Sequence, residues 1–145
     1  MGGALVKGNK ICIGGGRDGG TIRWPLTLPA ECYDIATRMW SVGANIPDPA
    51  GGASYGTSCD DRLLIAGGEV RGVGVGAINS FNAFDGQEWV QLPKMNQPRH
   101  GSGLAVDCVC NAIYIASGNG RAGGGMELLQ VETFYPGGVE VPCNA

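Results

Sequence analysis

At 145 residues the chain is long enough to bury one domain core. Its 27 glycines, 43% apolar residues and only 16% charged residues exclude a disordered segment and point to a turn-rich β chain. Ten Lys and Arg against thirteen Asp and Glu, net −3, give no basic face for nucleic acid, and no apolar run has the length of a membrane span.

Read from the N-terminus, strands are expected near residues 3–7, 10–15, 30–35 and 39–43. The pattern then repeats about 50 residues on, with almost no helix. Gly2-Gly3-Ala4 opens the first unit, and Gly51-Gly52-Ala53 and Gly101-Ser102-Gly103 open the next two. Each unit continues with an apolar run ending in small residues: Ile11-Cys12-Ile13-Gly14-Gly15-Gly16, Leu63-Leu64-Ile65-Ala66-Gly67-Gly68, and Ile113-Tyr114-Ile115-Ala116-Ser117-Gly118. These runs alternate too little for a half-solvated strand and read as strands buried on both faces. The paired glycines allow neighbouring backbone to approach closely.

After a variable Gly-rich loop comes a strand centred on an aromatic, at Tyr33-Asp34, Phe84-Asp85 and Phe134-Tyr135. The aspartates suit a hairpin turn. Trp40 and Trp89 then follow as plates large enough to fill the space between stacked sheets. A stretch from Met126 to Glu132 is read as irregular; a helix there would break the repeat.

The order Gly-Gly, Tyr/Phe-Asp, Trp and Pro98-Arg99-His100-Gly101 resembles the kelch repeat, including the kelch-type domain of galactose oxidase-like proteins, over roughly residues 2 to 136. The resemblance implies an all-β fold. It would be a kelch-type β-propeller segment of about three four-stranded antiparallel blades, innermost strand first, incomplete as a ring. The blades would cover about 2–50, 51–100 and 101–145. Turns between the first and second strands would lie on one face, and the loops between second and third strands and between blades on the opposite face. The third unit departs from the pattern, with Ser117 for the first glycine, no tryptophan after Tyr135, and only Val139-Glu140-Val141 for an outer strand. The second unit opens with Pro49-Ala50-Gly51 and lacks the Arg-His pair. Closed propellers have 4 to 8 blades, so further blades are expected from a longer chain or a second copy.

Six cysteines, Cys12, Cys32, Cys59, Cys108, Cys110 and Cys143, allow fifteen pairings or six buried thiols. Cys12 and Cys32 are expected as neighbours on adjacent antiparallel strands. Cys59 and Cys108 fall at corresponding turns of neighbouring units and read as a disulfide or as plain burial. The cysteine count tips the expectation toward an extracellular location, although the sequence shows no signal-peptide pattern and no N-x-Ser/Thr sequon.

Two enzyme-like matches carry little weight. Gly118-Asn119-Gly120-Arg121-Ala122-Gly123 fits a dinucleotide fingerprint but lacks a βαβ setting. Gly52-Ala53-Ser54-Tyr55-Gly56 fits a nucleophile elbow, yet the repeat puts Ser54 in a strand rather than at a strand-to-helix turn. A copper-radical site of the galactose oxidase kind needs two His and two Tyr, one of them joined to Cys. His100 is the one histidine in the sequence. Cys108-Val109-Cys110 has no second close cysteine pair for zinc. No catalytic residue, metal or cofactor is therefore assigned.

The candidate site is the loop face. Arg17, Arg23, Trp24, Arg71 and Arg121 fall in loops between second and third strands, and Arg99 and His100 in a loop between units. Such charges serve solubility, or they form a shallow basic pocket for a carboxylate, an acidic peptide or an acidic sugar. The expected function is a non-catalytic binding or interaction module with a protein or an acidic or carbohydrate ligand. The alternatives are a segment of a larger secreted carbohydrate oxidase, or a structural subunit that completes its propeller with other chains.

Overall fold

The computed structural model describes residues 1–16, 28–70 and 76–138. Arg17, Arg23, Trp24, Arg71, Cys143 and the Val139–Val141 stretch lie outside the described residues.

Three antiparallel sheets follow one another along the chain. The first holds β1 (Gly2–Val6), β2 (Lys10–Gly14), β3 (Pro29–Asp34) and β4 (Met39–Asn45) in that spatial order. The second holds β5 (Ser54–Thr57) and β6 (Leu63–Ala66), then β9 (Phe81–Phe84) and β10 (Trp89–Gln91). A two-stranded ribbon, β7 (Glu69–Val70) with β8 (Gly76–Ala77), is inserted between β6 and β9. The third sheet shows β11 (Gly103–Asp107), β12 (Ala112–Ala116) and β13 (Val131–Phe134). No helix is present among the described residues, residues 126–132 included. The first strands converge, β5 lying between β1 and β11. Stacked meanders whose first strands converge, with no closure into a barrel, make an incomplete propeller.

Packing between sheets follows the two-residue period of each strand. Ala4, Val6, Cys12, Ala30, Cys32 and Ile46 of the first sheet meet Leu63, Ile65 and Phe84 of the second. On its other side the second sheet offers Leu64, Ala66, Phe81 and Ala83 to Ile113 and Ile115 of the third. The middle sheet is thus covered twice, and all four residues of β6 are buried. Among the described residues strand β2 is covered on one side only, and Ile11 is 43% exposed. The expectation of strands buried on both faces therefore holds for the middle unit and fails for β2.

The tryptophans divide the same way. Trp89 stacks on Phe84 with ring centroids 4.8 Å apart, and its Nε1 donates to Ala44 O of the first sheet at 3.1 Å. Trp40 holds the equivalent place beside Tyr33 but points away from the second sheet and stays 59% exposed.

The paired glycines have a conformational role in addition to close approach. Gly67 and Gly68 adopt φ of 64° and 124°. A Cβ on Gly67 would lie 2.2 Å from Arg99 O, so that position excludes a side chain on both counts. Ser117 takes the same left-handed turn at φ 63° without being glycine.

Aspartates close the hairpins by local capping. Asp34 Oδ1 accepts from Ala36 N and Thr37 N, and Asp85 Oδ1 accepts from Gln87 N and Glu88 N. Asp107 Oδ1 accepts from Val109 N and Cys110 N in the same way.

Cys12 and Cys32 sit directly opposite each other on β2 and β3 and are joined by a disulfide. A second disulfide, Cys59–Cys108, ties the β5–β6 turn to the β11–β12 turn of the next sheet. Cys110 is disulfide-bonded as well.

Candidate binding face between the second and third sheets

The loop face above these two sheets rests on a set of buried polar groups. Arg99, in the β10–β11 loop, is fully buried. Its Nη1 donates to Ser117 O at 3.0 Å and Gln130 O at 3.1 Å, and its Nη2 pairs with Glu132 Oε1 at 2.5 Å. The other carboxylate contacts of Glu132 are backbone: Asn96 N donates to Oε2 at 2.5 Å and Gln97 N to Oε1 at 3.0 Å. A planar guanidinium suits this work, since its fixed fork satisfies several acceptors at once in a dry site. Arg99 therefore does not present its charge to the loop face. It fastens the loops before β11 and before β13 to each other.

His100 follows it and is also buried. Its Nε2 is 2.7 Å from Arg121 O; a carbonyl only accepts, so Nε2 carries the proton. Glu69 Oε2 lies 3.9 Å from the same nitrogen and accepts from Gly123 N at 2.6 Å. Backbone pairing between His100 and Asn119 completes the junction, with bonds of 3.0 and 2.9 Å. Two buried side chains of the second sheet region, Glu69 and His100, thus hold the Arg121–Gly123 loop of the third.

Arg121 itself is exposed, and its guanidinium makes no hydrogen bond or ion pair among the described residues. Of the sequence-derived candidates, Arg99, His100 and Arg121 lie at this one junction, the first two as supports and the third facing solvent. Arg17, Arg23, Trp24 and Arg71 lie outside the described residues. Glu69 and Glu132 were missed by sequence reasoning. Neither stands in a motif, and only the pairing of distant loops brings them to Arg99 and His100.

Ser54 lies in β5, buried, with its Oγ 2.7 Å from Ser102 O and 2.6 Å from Ser102 Oγ. It joins two neighbouring inner strands, and no helix follows it. No group of three or more His, Cys, Asp or Glu side chains is placed to hold a metal among the described residues.

No protein-family model matches the chain. It is 26% identical over 125 residues, 79% of its length, to the Kelch-like protein terF of Aspergillus terreus, and it spans about a quarter (26%) of that relative. The likeness is to a kelch protein. Together with the stacked antiparallel sheets it agrees with the kelch resemblance carried by the Gly-Gly, aromatic-Asp and Trp landmarks.

Proposed function

We propose that the chain is a non-catalytic kelch-type interaction module whose loop face engages a protein partner through an acidic segment. What supports this reading is the position of Arg121. A loop rich in glycine is held by His100 and Glu69 through the backbone of Arg121 and Gly123, while the Arg121 side chain keeps an unspent guanidinium. Such a fork is matched to a carboxylate, and a loop fixed from below loses little freedom when it binds.

A fluorescein-labelled hexaglutamate peptide, read by anisotropy against a Gly-Ser peptide of equal length, tests it. The acidic peptide should bind more tightly. Arg121→Ala should weaken it about fivefold to tenfold, on the scale of one exposed charge-assisted bond. Raising salt from about 50 to 500 mM should weaken it further, because exposed charges are screened. Binding unmoved by Arg121→Ala, Arg71→Ala and salt would leave these arginines as solubilising charges. Preference for an acidic oligosaccharide such as oligogalacturonate over the peptide would reassign the ligand class.

A further inference from the structure

The first sheet carries a face that nothing among the described residues covers. Registers across it place Leu5, Ile11, Tyr33 and Trp40 in one row, and Gly3, Ile13, Glu31 and Val42 in the next. Leu5 is 44% and Val42 72% exposed. Ile13, Glu31, Trp40, Ser41 and Val42 border a shallow depression of about 260 Å³. A contiguous apolar face of this extent is unusual on a solitary soluble domain.

The molecule contains its own template for what covers such a face. Leu63, Ile65, Phe84 and Trp89 stand in the second sheet where Ile11, Ile13, Tyr33 and Trp40 stand in the first, and there they are capped by the small-residue side of a neighbouring sheet, Ala4 and Ala30 included. The junction is sealed by the bond from Trp89 Nε1 to Ala44 O. At the next junction the rule repeats: Leu104 packs so closely on Gly56 that a Cβ there would be 2.4 Å from it. At the first junction large side chains of the following sheet meet mostly small residues of the preceding one; at the second they meet Gly56, Ala66 and Ala83 together with the larger Leu64 and Phe81.

The outer side of the third sheet carries mostly small residues around one aromatic, Tyr114. Leu104 and Val106 turn inward to the second sheet, so Gly103 and Ala105 of β11 face out, and their registers continue to Ala116 with Val131 and to Tyr114 with Thr133. Gly103, Ala105, Val131 and Thr133 are exposed.

From this complementarity we infer that the outer face of the first sheet docks on the outer face of the third sheet of a second copy of this chain. The contact is head to tail, so two copies related by a two-fold axis make it twice.

Sedimentation velocity and light scattering on the 145-residue chain test this. The chain should associate to at least twice its 14.9 kDa mass. Val42→Asp, at an exposed outer-strand position with no internal packing to lose, should return it to one chain mass, and so should Ala105→Glu on the other face. Far-UV circular dichroism and a cooperative unfolding transition would show that both variants fold, the midpoint falling only by what lost association removes. Mixed together, the two variants retain one intact junction and should associate again, more weakly than the unaltered chain. A monodisperse single-chain species would overturn the inference, with the face then left for a different polypeptide segment. Association that survives Ala105→Glu would overturn it too, because a face-to-face pairing of first sheets would not involve Ala105.

Discussion

The first and second sheets are written in the same landmarks, yet β6 is buried at four of four positions while β2 alternates between buried and open. Phe84 is sealed between Leu63, Ile65 and the first sheet, whereas Tyr33, its counterpart, lies half-buried beside an exposed Trp40. Equal sequences of landmarks thus acquire unequal energetic weight, and the cause is position in the stack. A residue's contribution depends on whether its neighbouring sheet is there to cover it.

The sharpest way to break this comparison is to truncate the two aromatics. Phe84→Ala should cost about 4 kcal/mol, the scale for a fully buried phenylalanine, while Tyr33→Ala should cost about 1 kcal/mol. Urea unfolding of the two variants in the unassociated Val42→Asp background reads the difference, and equal losses there would mean that the first sheet's face is covered within one chain.

A second contrast concerns the loops that lead into each sheet. Arg99 has no counterpart before the second sheet, where Pro49-Ala50 stands instead. Arg99→Ala should cost about 3 kcal/mol, because the mostly buried Glu132 would lose its cationic partner and Ser117 O its donor. Thermal unfolding measures this, and a loss under about 1 kcal/mol would move Arg99 back among the exposed loop charges.

The turn after each second strand gives a smaller effect of both signs. Gly67→Ala should destabilise by about 2 kcal/mol, since strain at positive φ adds to the clash with Arg99 O. Ser117→Gly should stabilise by about 1 kcal/mol, since it relieves a non-glycine residue of the left-handed conformation. Stabilisation by both changes would contradict the shared turn geometry.

The smallest effect is electrostatic. Backbone donors from Glu88 and Gln87, with Lys7 Nζ at 3.1 Å, hold the Asp85 carboxyl at a pKa of about 2, below its ordinary 3.8. Because the folded value is depressed, the stability it contributes is present above about pH 3.8 and is lost as pH falls through about 2. Asp34 is lowered by the same turn, with Thr37 N as the largest cause, but it has no lysine in contact from another sheet. Asp85→Asn keeps the capping oxygen and should flatten the stability curve between pH 4 and 2 by less than about 1 kcal/mol, given that the ion pair is largely solvated. Unfolding midpoints across that pH range check it.

Much of the fold was legible because the repeat is written in residues with strong local meaning. That Cys12 and Cys32 are neighbours was legible from antiparallel register, though not that they are bonded, and Asp34 and Asp85 announced their turns. The candidate site was less legible. Arg99 reads as a loop charge in the sequence, and only Glu132, 33 residues away and part of no motif, turns it into a buried fastener. Ser117 hid the repetition of the left-handed turn, because its side chain says nothing about φ. The exposure of Trp40 could not be read from its match to Trp89, since it depends on what stacks against the first sheet and not on any residue within it.

The Cys59–Cys108 bond also has a mechanical side. It shunts the path between the second and third sheets across the turn face, so that a pull on the two ends of the chain passes through sulfur and bypasses the 49-residue separation between them. Roughly 170 Å of extended backbone is thereby withheld from stretching. A single-molecule extension trace should therefore gain at least that length in reductant, the Cys12–Cys32 loop adding its own share, and lack it under oxidising conditions, with β9, β10 and the buried Arg99 loop shielded from load until the bond is cut.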